Sequence, residues 1–167
     1  MIILGIDPGY AIVGIGVIEY KGGALRYIKH GAITTPAGME TVERLKIIFN
    51  EINMILDEYK PDAVAIEELF FNSNQKTAIM VAQARGVLLV AAANKNIPLF
   101  EYTPLQVKQS LTGYGRADKK QIQTMVKMLL GLNAIPKPDD AADALAIAIS
   151  HAQSSRLSNR LGLNKIK

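Results

Sequence analysis

Apolar and polar residues follow a strand-like pattern over the first part of this chain. Residues 2–6 form a short branched apolar run that ends in a Pro-Gly turn, and residues 12–20 and 25–34 flank the dipeptide Gly22-Gly23. Short runs of this kind, separated by turn residues, are typical of β-strands, and a two-glycine connection favours a hairpin. We therefore predict three consecutive strands in an antiparallel meander.

From residue 39 onward the apolar spacing is that of helices alternating with short buried strands. Apolar residues three and four positions apart predict an amphipathic helix over 39–59, and the helix predicted over 75–94 is apolar on nearly every side. Strands are predicted at 63–66 and 97–102. Three further helices are predicted over 104–111, 119–130 and 140–151.

This order of elements predicts an α/β fold with a mixed five-stranded sheet flanked by helices, and it matches the ribonuclease H-like fold. With 167 residues and 49% apolar content, the chain is expected to form one domain over residues 1–153. The Ser-rich, basic segment 154–167 is expected to be a flexible tail.

Composition bounds the environment in which the protein works. The chain contains no cysteine, so disulfides and thiolate metal sites are excluded, in agreement with a cytosolic protein. The apolar run at the N-terminus is too short for a signal peptide, and no uninterrupted apolar stretch reaches the roughly 18 residues of a membrane span. We therefore expect a cytoplasmic protein that does not bind membranes.

Charge is unevenly distributed along the chain. The formal net charge is +4, but residues 69–138 contain nine basic and two acidic residues, whereas residues 1–68 contain six basic and ten acidic ones. A basic surface beside an acidic pocket suits an enzyme that cuts a phosphodiester backbone. A basic, solvated face without a ligand explains the same distribution equally well.

Four acidic residues adjoin or interrupt apolar runs: Asp7, Glu67, Asp140 and Asp143. Asp140 and Asp143 are three positions apart and would share one face of an apolar helix. Buried carboxylates must be paired, protonated or bound to a metal, and a set of oxygen ligands without cysteine favours Mg²⁺ or Mn²⁺ over Zn²⁺. Two such ions about 4 Å apart could catalyse phosphoryl displacement.

Each acid also has an ordinary structural explanation. An aspartate before Pro-Gly is a common turn former, and acids at the start of a helix cap its free N–H groups. Spacing alone does not choose Glu67 over the adjacent Glu68. The hypothesis of a metal site therefore depends on these residues converging in the fold.

Five segments in order along the chain resemble the RuvC family of Holliday-junction resolvases. They are GIDPG at 5–9, AIEELF at 65–70, QARGV at 83–87, EYTPLQVKQSLTGYGRADK at 101–119 and DAADALAIAI at 140–149. The resemblance implies that Asp7, Glu67, Asp140 and Asp143 are catalytic and bind two Mg²⁺ ions, for which Mn²⁺ can substitute.

The resemblance also assigns residues that would contact DNA. It implies that Phe70 stacks on or unpairs bases at the junction centre, although a Phe between apolar neighbours could equally belong to the core. Lys108 and Lys119 match family positions near the scissile phosphate, and Arg116 and Lys120 flank them as candidate contacts to the DNA backbone.

The substrate implied by the resemblance is four-way junction DNA, cut by paired symmetric nicks in DNA recombination and repair. It further implies a homodimer, for which the apolar helix 75–94 is the predicted interface, and a branch-migration motor of the RuvA and RuvB type as a partner. The bacterial cytoplasm, with association with the nucleoid, is the expected location.

Three other functions are compatible with parts of the sequence. Actin and Hsp70-type ATPases share this sheet and a similar first loop, but they need two such domains. A DNA-binding module without catalysis would use the acids only as capping residues. A related nuclease acting on RNA or flaps would differ from a resolvase in its choice of substrate.

Overall fold

The computed structural model describes residues 1–69, 75–161 and 164–166, and it contains every strand and helix predicted from the sequence. The strands are β1 (Ile2–Asp7), β2 (Ile12–Lys21), β3 (Ala24–Thr34), β4 (Ala63–Glu67) and β5 (Leu99–Tyr102). The helices are α1 (Thr41–Tyr59), α2 (Gln75–Asn94), α3 (Pro104–Thr112), α4 (Lys119–Leu129) and α5 (Asp139–Leu161).

The five strands form one mixed sheet in the order β3-β2-β1-β4-β5. β2 is antiparallel to both β1 and β3, and Gly22 and Gly23 form the predicted hairpin turn with positive φ angles of 61° and 89°. β4 is parallel to β1, and β5 is parallel to β4. Because β1, β4 and β5 run the same way, their carboxyl ends lie at one edge of the sheet.

Helices cover both faces of this sheet. On one face α1 buries Ile48, Ile52 and Leu56, which share one side of the helix, and α2 buries Leu88 in the same apolar core. On the other face α5 packs with α3 and α4 in a second core. The middle of α5 is buried on every side, as its uniformly apolar sequence predicted.

Glycines in the first two strands allow α5 to lie unusually close to the sheet. A Cβ at Gly5 would clash with the carbonyl oxygen of Ala144, and a Cβ at Gly14 would clash with that of Asp140. At Gly16 it would lie 2.6 Å from the backbone nitrogen of Leu145. The glycines therefore let helix backbone rest directly on strand backbone, which brings the first turns of α5 to the sheet.

Part of the C-terminal segment 154–167 has regular secondary structure, and its flexibility stays a prediction. α5 continues past His151 to Leu161, and the described residues 164–166 pair with β5. The Glu101 amide donates to the Asn164 carbonyl at 2.7 Å, and the Ile166 amide donates to the Leu99 carbonyl at 2.9 Å. This pairing satisfies backbone groups on an edge strand of the sheet.

α2 has apolar residues on both its buried and its exposed sides. Residues Thr77–Asn94 are long and apolar enough to cross a membrane by length and composition alone, although Gln83 and Arg85 interrupt the run. Ala84 and Leu88 are buried in the core, whereas Ile79 and Val90 are 60% and 54% exposed. A single helix of this kind is weak evidence for a membrane span, because core helices of globular domains pass the same test.

Candidate active site

Two acidic residues lie at the ends of neighbouring parallel strands. Ile6 of β1 is opposite Ile66 of β4, so the next residues, Asp7 and Glu67, leave the sheet side by side. Strand ends at the carboxyl edge of a parallel pair are where α/β folds commonly place functional side chains. The pairing of strands distant in sequence therefore joins two of the predicted site residues.

Helix α5 adds the other two acids. Asp140 and Asp143 lie in its first turns, and the contact of its backbone with Gly14 of β2 places those turns beside the strand that pairs with β1. Asp143 and Glu67 together line a cavity of about 200 Å³. The structure thus brings all four predicted acids to one edge of the sheet.

The electrostatics of these side chains confirm that they crowd one another. Burial is the largest of the causes that together raise the pKa of Asp7 to about 8, and the charges of Glu67, Asp143 and Asp140 and a hydrogen bond to Glu67 are the others. Burial and the charge of Asp143 raise the pKa of Glu67. Asp7 and Glu67 are therefore harder to ionise than exposed carboxyl groups, and a nearby cation would favour their charged forms.

Lys119 is the basic residue in direct contact with these acids in the described part of the chain. Its Nζ lies 3.1 Å from Asp143 Oδ2 and 3.6 Å from Asp139 Oδ2. Burial lowers the pKa of Lys119, but its hydrogen bond to Asp143 and the charges of Asp143, Asp139 and Asp140 outweigh this and raise the pKa. Burial likewise raises the pKa of Asp143, and Lys119 partly offsets that rise.

The position of Lys119 is unfavourable for its own helix. It is the first residue of α4, which Asp118 and Gln121 begin with a reciprocal capping box. A cation at a helix N-terminus opposes the helix dipole, so it gains nothing from the helix itself. Its interactions with the acids of α5 explain why a lysine occupies the first position of α4.

Lys108 of α3 lines the same cavity as Lys119.

The remaining predicted DNA contacts are more scattered. Lys120 lines a separate, mainly apolar cleft of about 490 Å³ between α3 and α4, together with Leu111, Tyr114 and Met125. Arg116 is exposed in the turn before α4, and it does not line the acidic cavity. Phe70 lies outside the described residues.

The structure separates Glu67 from Glu68, which sequence spacing could not. Glu68 lines a different polar cavity of about 320 Å³ with Arg85 and Glu101. Arg85 of α2 forms an ion pair with Glu101, and its Nε donates to the carbonyl oxygen of Glu67 at 3.4 Å. In the sequence Arg85 stands out only as part of the motif QARGV, because no neighbouring residue connects it with the end of a strand.

The donor set of this site suits a hard divalent cation. All four side chains are carboxylates, which are preferred by Mg²⁺ and Mn²⁺, and a cation would relieve the repulsion that raises the pKa of Asp7. Among the described residues no group of three or more His, Cys, Asp or Glu side chains is arranged so that it could hold a metal ion as it stands. The fit therefore rests on the chemistry and charge of the ligands.

Comparisons with known proteins identify relatives over almost the whole chain. The family model described as "Crossover junction endodeoxyribonuclease RuvC" matches residues 3–151. A protein of that name from Alkaliphilus oremlandii is 63% identical over 154 residues, covering 92% of this chain and 94% of the relative.

Solved structures agree in fold over nearly their full length. The Thermus thermophilus RuvC structure superposes with a TM-score of 0.90 at 36% identity and covers 99% of this chain and 100% of that one. The T. thermophilus protein in complex with a Holliday junction substrate matches with a TM-score of 0.89 at 34% identity, with the same coverage. These matches confirm the predicted ribonuclease H-like fold.

Proposed function

The chain belongs to the RuvC family of crossover junction endodeoxyribonucleases, and from this membership and its acidic site we propose that it resolves Holliday junctions by paired symmetric nicks in DNA recombination and repair. The observation that carries the proposal is the convergence of Asp7, Glu67, Asp140 and Asp143 beside Lys119. A T. thermophilus member with 34% identity is described in complex with a Holliday junction substrate.

The four carboxylates are proposed to hold two Mg²⁺ ions, with Mn²⁺ as a substitute. When bound, such ions supply activation of a water and stabilisation of the leaving oxygen in an in-line displacement. The support for this proposal is electrostatic: Asp7 and Glu67 lie at adjacent strand ends, and burial and mutual repulsion raise the pKa of both.

Basic side chains of the same cavity are proposed to bind the scissile phosphate. Lys108 and Lys119 line the cavity with Glu67 and Asp143, and the Lys119 ammonium already neutralises part of the Asp143 charge at 3.1 Å. A cation at this position can stabilise negative charge that develops on the phosphate. Lys119 would therefore orient Asp143 and contact the backbone of the cut strand.

A wider basic surface would bind the arms of the junction. Residues 69–138 contain nine basic and two acidic residues, and within this stretch Arg116 and Lys120 are exposed near the start of α4. Side chains of this kind bind phosphates without reading sequence, and their contribution falls with salt. Phe70 is proposed, from the family alone, to stack on bases at the junction centre.

The enzyme is proposed to act as a homodimer through α2. Ile79 and Val90 are more than half exposed, and Met80 is 38% exposed, on a helix whose other side is already buried in the core. A two-fold dimer matches a two-fold junction and places two cutting sites symmetrically. We further propose that the enzyme works with a branch-migration motor of the RuvA and RuvB type. Both would act in the cytoplasm, near the nucleoid.

The proposal is tested with a synthetic four-way junction and a linear duplex of the same sequence, each incubated with Mg²⁺ or with EDTA. We expect paired, symmetric nicks in the junction alone, and only with Mg²⁺. The variant Asp7→Asn should lower the cleavage rate by on the order of a hundredfold or more, because it removes one charged ligand of the proposed site.

The matched control is Glu68→Gln, which neutralises the adjacent acid that faces a different cavity. It should cut at nearly the wild-type rate, and both variants should bind the junction in EDTA. Full cleavage by Asp7→Asn would contradict the metal site. Binding by the wild type without cleavage in Mg²⁺ or Mn²⁺ would indicate a binding module, and cutting of every substrate a less selective nuclease.

A further inference from the structure

Arg44 of α1 is a buried cation without an acidic partner in the described part of the chain. It is 8% exposed, and no described carboxylate lies within ion-pair distance of its guanidinium group. Its Nε donates to Thr35 Oγ1 at 2.8 Å, and its Nη2 donates to the carbonyl oxygens of Tyr10 at 3.3 Å and Thr35 at 3.4 Å. Burying a charge against neutral acceptors is costly, so this arrangement calls for a function.

The guanidinium group also packs on the ring of Tyr10. Its central carbon lies 3.8 Å from the ring centroid, which is a cation–π contact at short range. The Tyr10 hydroxyl donates to Thr41 Oγ1 at 3.0 Å, at the first residue of α1. Tyr10 is therefore held through its ring, its hydroxyl and its carbonyl oxygen by the beginning of one helix.

The other residues of this turn are held as well. Thr35 Oγ1 donates to the Tyr10 carbonyl at 2.7 Å, and the Thr35 amide donates to the Ala11 carbonyl at 2.9 Å. At Gly9 a Cβ would clash with the carbonyl oxygen of Ile12, so the backbone there is tightly packed. The contacts of Arg44, Thr35 and Thr41 thus fix the turn 8–11.

This turn begins directly after Asp7, which lies beside Glu67 at the ends of the paired strands β1 and β4. Asp7 is the last residue of β1 and pairs with Gly14 of β2, so the sheet holds its backbone up to the point where the turn 8–11 begins. On the other side the conformation of the turn 8–11 determines where it lies.

We infer that Arg44 is a positioning residue for the proposed metal site: by clamping the turn 8–11 through Tyr10 and Thr35, it holds Asp7 beside Glu67. This inference rests on the proposed function, because it concerns the same carboxylates. α1 contributes no side chain to the acidic cavity. Through Arg44, it would nevertheless control the position of one metal ligand. Residues that orient a ligand commonly change metal affinity about 10–100-fold when they are replaced.

The test measures Mn²⁺ binding by electron paramagnetic resonance, without DNA, in the wild type and in Arg44→Gln, Arg44→Lys and Arg26→Gln. Arg26 is the matched control, since it is an exposed arginine on β3 that pairs with Glu19 at 2.8 Å. We expect Arg44→Gln to weaken Mn²⁺ binding about tenfold or more, and Arg26→Gln to bind as the wild type does. Arg44→Lys should also bind more weakly, because it keeps the charge but loses the planar fork of donors.

A milder variant covers the case in which replacing a buried arginine prevents folding. Thr35→Val keeps the shape of the side chain but removes an acceptor of Arg44 and a donor to Tyr10, and it should weaken Mn²⁺ binding about threefold, equivalent to one modest hydrogen bond. Thermal unfolding of each variant establishes that it is folded at the temperature of the binding experiment.

The outcomes separate this inference from the function on which it rests. If the wild type fails to bind Mn²⁺, the proposed metal site is overturned and the inference with it. If the wild type binds Mn²⁺ and the Arg44 and Thr35 variants bind it equally well, only the inference is overturned. A loss of thermal stability without a change in Mn²⁺ affinity would mean that Arg44 is merely structural.

Discussion

Helix α5 carries two titratable centres, one half-buried and one fully buried, and they are built in opposite ways. Near its N-terminus Asp140 and Asp143 face other acids, with Lys119 as a contact 3.1 Å from Asp143. Two turns further on, His151 is fully buried, and its Nδ1 is hydrogen-bonded to the Tyr102 hydroxyl at 2.8 Å. Its ring also packs on Phe100, with ring centroids 4.4 Å apart.

Burial disfavours the charged form at both centres. Only at the acidic centre can a cation that enters from solvent offset this penalty. Burial, increased by like charges, raises the pKa of Asp7 to about 8, whereas burial alone lowers the pKa of His151 to about 4. Glu67 and Asp143 line an open cavity that a cation can enter, whereas the His151 ring has no exposed surface. A shifted pKa thus marks a candidate functional site only where like charges converge on accessible space.

The largest expected effect concerns the stability of the metal-free protein as a function of pH. Asp7 has a pKa of about 8 when folded and an ordinary value of 3.8, so the folded state binds more protons and the free energy of unfolding should fall as pH rises from about 4 to about 8. Asp7→Asn removes this contribution and should stabilise the protein at pH 8 by on the order of a few kcal/mol. Urea unfolding in EDTA measures both quantities.

His151 provides the contrast that sharpens this measurement. Its pKa of about 4 in the folded state lies below its ordinary 6.5, so it reduces stability as pH falls from about 6.5 to about 4. The two centres therefore act in opposite directions below pH 6.5, and the interval from 6.5 to 8 isolates the acids. Equal pH slopes of wild type and Asp7→Asn in that interval would contradict the crowded acidic cluster.

A smaller effect is expected from separating α5 from the sheet. In Gly5→Ala the new Cβ would clash with the carbonyl oxygen of Ala144, so α5 must move and the free energy of unfolding should fall by about 2 kcal/mol. Mn²⁺ binding should weaken too, because Asp140 and Asp143 move with the helix. Gly31→Ala is the control, since a Cβ at Gly31 meets nothing within 4 Å. Identical stability of the two variants would disprove the close packing.

The smallest effect should follow from altering the histidine centre alone. Tyr102→Phe removes the hydroxyl that bonds His151 and should lower the free energy of unfolding by about 1 kcal/mol, because a buried nitrogen loses its partner. Mn²⁺ affinity should not change. Tyr27→Phe, which removes the partly buried bond to His30 at 2.9 Å, is the control and should cost less. Weakened Mn²⁺ binding in Tyr102→Phe would show that the two centres are coupled.

The sequence by itself determined the elements, their order and the candidate acids. Strands and helices followed from local periodicity, and the first hairpin from the turn residues Gly22 and Gly23, which act within a few positions of themselves. The candidate acids could be recognised because a carboxylate at the end of an apolar run is unusual. Choosing Glu67 over Glu68 required the family resemblance, since two adjacent acids have the same local pattern.

Tertiary structure decided which of these residues meet. The register that places Asp7 beside Glu67, the contact of Gly14 with the backbone at Asp140, and the pairing of residues 164–166 with β5 all join segments distant along the chain. The partners of Arg44 were equally invisible, because an arginine at that position of α1 has the sequence pattern of an exposed side chain. Backbone hydrogen bonding and close packing select such contacts for the whole fold at once, and local periodicity does not encode them.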